Sequence, residues 1–131
     1  MATRDPTILV VVPDRDVRTL VGHMLEGSRY RVLLAAGVAQ AIAAQGSTEI
    51  DLLVTEVAPS VDGFAIADRL RASTPGLPVL YIGGWFDHPR YAELKQETVV
   101  SQPFSRSELM HAIDSVLEQR RSTGRQRAAQ P

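Results

Sequence analysis

The stretch Asp51-Leu52-Leu53-Val54-Thr55-Glu56, followed by Val57-Ala58-Pro59-Ser60-Val61-Asp62-Gly63-Phe64, decides the fold. An apolar run ends in an acid. A Pro/Gly turn follows, and then a helical pattern from Asp62 to Ser73 with Phe64, Ile66, Ala67 and Leu70 on one face. A strand without polar alternation is buried on both faces, as in a parallel sheet covered by helices. The side chain at the carboxyl end of such a strand points into the crevice where open α/β sheets bind ligands. Glu56 occupies that position.

The same unit recurs on both sides of this stretch. Upstream, Thr7 to Val12 is an apolar β-branched run closed by Pro13-Asp14. A helix from about Asp16 to Glu26 follows, capped by Asp14 or Asp16, with Val17, Leu20, Val21, Met24 and Leu25 as its stripe. Tyr30 to Ala36 reads as a second strand and Val38 to Gln45 as a short Ala-rich helix. Downstream, Pro78 to Ile82 is a fourth strand ending at Gly83-Gly84, and a weaker helix is expected over Pro89 to Gln96. Thr98 to Ser101 is a short fifth strand. Ser105 and Glu108 form a capping box that opens a last helix to about Gln119, with Leu109, Ala112, Ile113, Val116 and Leu117 inward. Five alternations with helical crossovers demand parallel strands and right-handed connections. The expected architecture is α/β: a doubly wound five-stranded parallel sheet in 2-1-3-4-5 order.

Composition agrees with one domain. The chain has 131 residues, of which 44% are hydrophobic and 22% charged. Residues 1–6 are expected to be an N-terminal extension, 7–119 the domain, and 120–131 a basic tail without regular structure. The net charge of −1 conceals an asymmetry, because Arg120, Arg121, Arg125 and Arg127 crowd the end. Residues 1–119 carry ten basic and fifteen acidic residues, about −5, which argues against a specific nucleic-acid partner. No apolar run reaches membrane-spanning length, so no membrane association is expected. The polar start does not match a signal-peptide core, and the absence of cysteine fits a reducing compartment, so a cytoplasmic location is expected.

Ile8-Leu9-Val10-Val11, Asp51 to Glu56, Pro59, Asp62-Gly63, Pro78-Val79-Leu80 and Pro103-Phe104, in this order and spacing, resemble the receiver domain of bacterial response regulators, the CheY-like fold. The resemblance covers residues 7 to about 119. It implies phosphorelay signalling: a histidine kinase donates a phosphoryl group to an aspartate at the end of the third strand. It also implies Mg²⁺ held by that aspartate and an acidic pair after the first strand. A Ser/Thr after the fourth strand and a Lys after the fifth then bind the phosphoryl oxygens.

This sequence departs from the pattern at each place. Val12 and Pro13 stand where the acidic pair is expected, and only Asp14 is acidic nearby. Counting forward from Asp51 puts Glu56 at the phosphoacceptor position, whereas counting back from Pro59 gives Thr55. Strand register favours Glu56. Gly83 replaces the Ser/Thr, Gln102 the Lys, and Val99 the aromatic switch residue. The resulting expectation is a pseudo-receiver that signals by phosphorylation-independent protein–protein interaction. It is not an enzyme, has no metal ligands or cofactor, and binds Mg²⁺ weakly or not at all. The alternative is a divergent response regulator still phosphorylated by a histidine kinase at Glu56. A third reading is a receiver fragment of a larger regulator. Glu56 itself could mimic a phosphoryl group or be a solvent-facing acid, and Asp14 could pair with it or serve only as a helix cap.

The working surface is then expected beyond Gly84. Trp85 and Phe86 are adjacent aromatics in a loop, and Trp is enriched at binding hot spots; the competing reading is that one ring covers the sheet edge. With Tyr91 and Arg106 they are candidate partner contacts. They would border the family's signalling face of fourth helix, fifth strand and fifth helix, where a kinase, another signalling protein or a second copy would dock. His23, His88 and His111 are scattered and read as surface residues. The resemblance also implies a cis peptide bond at Gln102-Pro103.

Overall fold

Elementary patterning becomes a sheet in the computed structural model of the chain, which describes residues 5–58, 61–83, 89–94 and 98–129. Strands β1 (Thr7–Val11), β2 (Arg31–Ala35), β3 (Leu52–Glu56), β4 (Val79–Gly83) and β5 (Val99–Ser101) form one parallel sheet in the order β2-β1-β3-β4-β5. Ile8 lies beside Val32 and Leu52, and Val54 beside Leu80, so the β-branched runs are neighbours at the sheet centre. The expected fold class and strand order are those observed.

Alternation divides the core in two. Ile8, Val10, Val12, Leu52, Val54, Leu80 and Ile82 face helices α1 (Arg15–Leu25) and α4 (Arg106–Ala129). Leu9, Val11, Leu53, Val57, Val79 and Tyr81 face α2 (Val38–Ser47) and α3 (Gly63–Ser73). Burying a Leu or Ile side chain is worth about 1.5–3 kcal/mol, so both layers are needed to hold a sheet this apolar.

The helix starts are set by polar side chains. Asp14 Oδ1 accepts from the amides of Asp16 and Val17 at 2.9 and 3.0 Å. Asp62 Oδ1 accepts from Ala65 at 3.1 Å. Ser105 Oγ accepts from the Glu108 amide at 3.0 Å while Glu108 Oε1 accepts from the Ser105 amide at 3.1 Å, the reciprocal box expected from the sequence.

Two expectations need correction. The crossover between β4 and β5 contains a 3-10 helix, Pro89–Glu93, rather than an α-helix over Pro89 to Gln96. It is five residues long and offers no i, i+3, i+4 apolar stripe to hold an α-helix on the sheet. The last helix does not stop at Gln119 but continues to Ala129. The Arg, Gln and Ala residues there are strong helix formers, so backbone propensity carries the helix onward without an apolar face. The expected irregular tail is therefore helical over residues 120–129. Among the described residues no helix is long and apolar enough to cross a membrane.

Candidate functional site

The carboxyl ends of β1, β3, β4 and β5 converge on one crevice. Val12, just after β1, is fully buried, and its amide donates to Ala35 O at 3.0 Å. Pro13 is exposed. Asp14, the first acid after β1, is engaged as the cap of α1. Arg18, one turn into α1, was not singled out by the sequence. Its Nη1 donates to Val12 O at 2.8 Å and Pro13 O at 3.1 Å, tying down the strand end. The sequence signal was only its i+4 position from the cap, which any surface arginine shares.

At the end of β3, Thr55 and Glu56 point to opposite faces. Thr55 is fully buried on the α2–α3 side, and its hydroxyl donates to Val11 O at 3.4 Å. Glu56 is half-buried at the strand terminus. Burial pushes its carboxyl above the usual glutamate range, and the negative charge of Asp14 adds to the rise. The two acids thus share one crevice, and Glu56 favours its protonated form more than a free glutamate does.

The close approach of β3 and β4 shapes the other wall. Val57 N donates to Ile82 O at 2.9 Å, and Gln102 N donates to Gly83 O at 2.7 Å. A Cβ on Gly83 would lie 2.5 Å from Val57 O, so the carbonyl fills the space a side chain would need. Gly63, opening α3, is equally constrained, because a Cβ there would lie 2.5 Å from Glu56 O. Ala58 and Val61 form an antiparallel bridge, exchanging backbone hydrogen bonds at 3.1 and 2.9 Å. The Gln102 side chain is exposed, and its bond to Pro103 is cis, as the resemblance implied. Val99 is half-buried and pairs with Tyr81.

Trp85, Phe86 and His88 lie outside the described residues, and Tyr91 sits in the 3-10 helix. Arg106 is exposed at the start of α4, and its Nε donates to Met24 O at 2.7 Å, where it satisfies a carbonyl in the last turn of α1. Arg90 instead marks the β4–β5 crossover. It makes a bidentate pair with Asp68 at 2.6 and 3.1 Å and lies over the Phe64 ring, 5.1 Å from its centroid. His23 and His111 are exposed. Among the described residues no group of three or more His, Asp or Glu side chains is gathered to hold a metal.

The response regulator receiver domain model matches residues 8–114. The chain belongs to the response regulator receiver family. This receiver is 24% identical over 120 residues to the C4-dicarboxylate transport transcriptional regulatory protein DctD of Rhizobium meliloti. It is 29% identical over 114 residues to the alkaline phosphatase synthesis transcriptional regulatory protein PhoP of Bacillus subtilis. The matches cover 88% and 84% of the receiver but only 26% and 48% of those relatives, so it spans at most half the length of either. Among solved structures, the signal receiver domain of an HD domain-containing protein from Pseudomonas fluorescens matches with a TM-score of 0.80 at 25% identity. That match covers 95% of this receiver and 96% of the other chain. The Vibrio cholerae chemotaxis protein CheY4 shares the fold, with a TM-score of 0.74 at 20% identity over 86% of this receiver and 99% of its own chain.

Proposed function

We propose that this receiver is an atypical one, a pseudo-receiver that works by phosphorylation-independent contact with a protein partner of a two-component or phosphorelay system in the cytoplasm. The observation that carries the reading is the set of side chains at the four strand ends. Glu56 stands at the phosphoacceptor position, and its partners are substituted: Val12 and Pro13 for the acidic pair, Gly83 for the hydroxyl, Gln102 for the lysine, Val99 for the aromatic switch.

Each substitution removes a part of the chemistry. Phosphoryl transfer depends on positioning and on neutralising charge. Mg²⁺ wants near-octahedral oxygen ligation, and the donors present do not fit it. Val12 is a buried hydrocarbon, and Asp14 already accepts two amide hydrogen bonds. The exposed Gln102 side chain brings no cation to the crevice. Glu56 extends one methylene beyond an aspartate, and in-line geometry is sensitive to displacements of that size.

The second reading is transfer to Glu56 from a histidine kinase, and the position of Glu56 at the strand end favours it. Intact-mass spectrometry separates the two. Incubation with Mg²⁺ and acetyl phosphate is expected to leave the mass of the chain unchanged, while a receiver with the full aspartate site gains a phosphoryl adduct under the same conditions. An adduct that forms with Mg²⁺ and is lost in Glu56→Ala would overturn the pseudo-receiver reading.

A further inference from the structure

The sheet has two outer strands, β2 and β5. Four large hydrophobic side chains are exposed among the described residues: Leu20 (53%), Leu34 (46%), Val38 (42%) and Ile42 (36%). All four lie on β2 or on α1 and α2, the helices that pack against it. No residue from Val32 to Thr48 is charged, in a chain with 22% charged residues. The edge is therefore apolar and uncharged from Val32 through α2, with the exposed Arg31 at its start and His23 and Glu26 on the α1 side.

The backbone of that edge is open in the middle and closed at both ends. Arg31 N donates to Pro6 O, and Ala35 O accepts from Val12 N, so Arg31, Leu33 and Ala35 turn their peptide groups toward β1. By alternation, Tyr30, Val32, Leu34 and Ala36 turn theirs outward. The Tyr30 amide donates to Ser28 Oγ at 3.3 Å, and the Ala36 amide donates to Gln40 Oε1 at 2.6 Å. Between these two capped amides, Val32 and Leu34 have no outward hydrogen-bond partner among the described residues.

We propose that a second copy of this chain pairs with this edge, its β2 antiparallel to the first and the two-fold axis passing beside Leu33. In this register Val32 faces the partner's Leu34, and Leu34 faces the partner's Val32. Each facing pair exchanges two N–H···O bonds, so all the open peptide groups of Val32 and Leu34 are satisfied. An isologous contact requires one patch to complement itself, and this patch does. Arg31 falls opposite the partner's Ala35, so no like charges meet. The uncharged α2 helices approach without repulsion. The partner's Leu34 lies over Val32, at a groove of about 370 Å³ whose lining includes Gly22, Leu25, Tyr30 and Val32. A charged occupant finds no counter-charge between Val32 and Thr48, and His23 and Glu26 at the groove lie 3.4 Å from each other. The contact is small, on the order of 400 Å² per copy against about 800 Å² in a standard interface, so the dimer is weak and concentration-dependent.

Sedimentation velocity and cysteine cross-linking on the full chain test the pairing. Between about 10 µM and about 1 mM the weight-average mass is expected to climb from one chain toward two. Leu34→Asp, at a side chain already half in solvent, is expected to remain at one chain with an unchanged circular-dichroism spectrum. The protein has no cysteine, so one introduced thiol reports one position. Leu33 meets its own copy in a non-hydrogen-bonded pair, with Cα atoms about 4.5 Å apart, which a disulfide can span. Leu33→Cys is therefore expected to cross-link at least tenfold faster than Val99→Cys on the opposite edge. A chain that stays monomeric near 1 mM overturns the proposal. So does association that Leu34→Asp leaves intact, or cross-linking no faster at Leu33→Cys than at Val99→Cys.

Discussion

Restoring a hydroxyl at the end of β4 is expected to damage the fold before it can restore any chemistry. The perturbation is Gly83→Ser. Its Cβ would stand 2.5 Å from Val57 O, whereas a carbon and a carbonyl oxygen settle at about 3.3 Å, so the overlap is about 0.8 Å. Neither side can retreat cheaply. Val57 is fixed to β4 through Ile82 O, and Gly83 O holds the Gln102 amide at 2.7 Å. Overpacking of this kind costs about 1–3 kcal/mol. If the strand shifts enough to break the Gln102 bond, about 1 kcal/mol more is lost. With an m-value of about 1.5 kcal/mol/M, a loss of about 2–4 kcal/mol lowers the urea midpoint by about 1–3 M. The assay is urea unfolding followed by circular dichroism, with Gly46→Ala as the companion variant. A Cβ at Gly46 meets nothing within 4 Å, and alanine is the better helix former, so that midpoint should rise. A Gly83→Ser midpoint within about 0.3 M of the parent, with the same m-value, would refute the close-approach reasoning.

Three other outcomes are expected. Burial and Asp14 raise the Glu56 carboxyl pKa above its unfolded value, so the fold favours the protonated acid. The penalty is absent below the ordinary glutamate range and grows as pH rises through the folded pKa. Glu56→Gln should therefore be more stable than the parent at neutral pH, with the gap closing toward about pH 4; a pH-independent gap in urea midpoints argues against this. Asp14→Ala should cost about 1 kcal/mol and shift the amide resonances of Asp16 and Val17, the two donors it caps, and an unperturbed spectrum would contradict the capping role. Tyr30→Phe removes a hydroxyl that donates to the Asp114 carboxylate across 84 residues of sequence, and should cost about 1–2 kcal/mol in the same unfolding assay. A neutral result there would mean that water replaces the contact.

Most of the sheet was legible because its signals are local. The β-branched runs at Thr7–Val11 and Leu52–Glu56 have no polar alternation, and Asp14, Asp62 and Ser105 announce helix starts with their own side chains. The β4–β5 crossover was misjudged because its residues lack the periodic apolar face that tells an α-helix from a tight turn. The last helix was cut short for the opposite reason: its final residues have propensity but no face. The crevice was half legible. Glu56 could be placed at the end of β3 by counting along a strand, and Thr55 beside it is buried on the other face. The approach of Val57 O to Gly83 could not be placed, because it depends on how the ends of two strands meet in space. The bond from Arg106 to Met24 O was not legible, since its partner is a backbone atom 82 residues away.

The last helix binds three early segments through single side chains. Arg106 reaches Met24 O, Asp114 accepts from Tyr30, and Arg120 donates to Asp51 O at 2.9 Å. Leu109, Ile113, Val116 and Leu117 also share with α1 the covering of one face of the sheet. In sequence order α4 follows every other element of the sheet and its helices. Until α4 forms, that face is covered by α1 alone, and Met24 in the last turn of α1, Tyr30 and Asp51 lack their fasteners. The domain must therefore complete its folding after synthesis of α4, in one late step dominated by contacts between distant parts of the chain. Any truncation that removes α4 should leave an aggregating remnant rather than a smaller receiver.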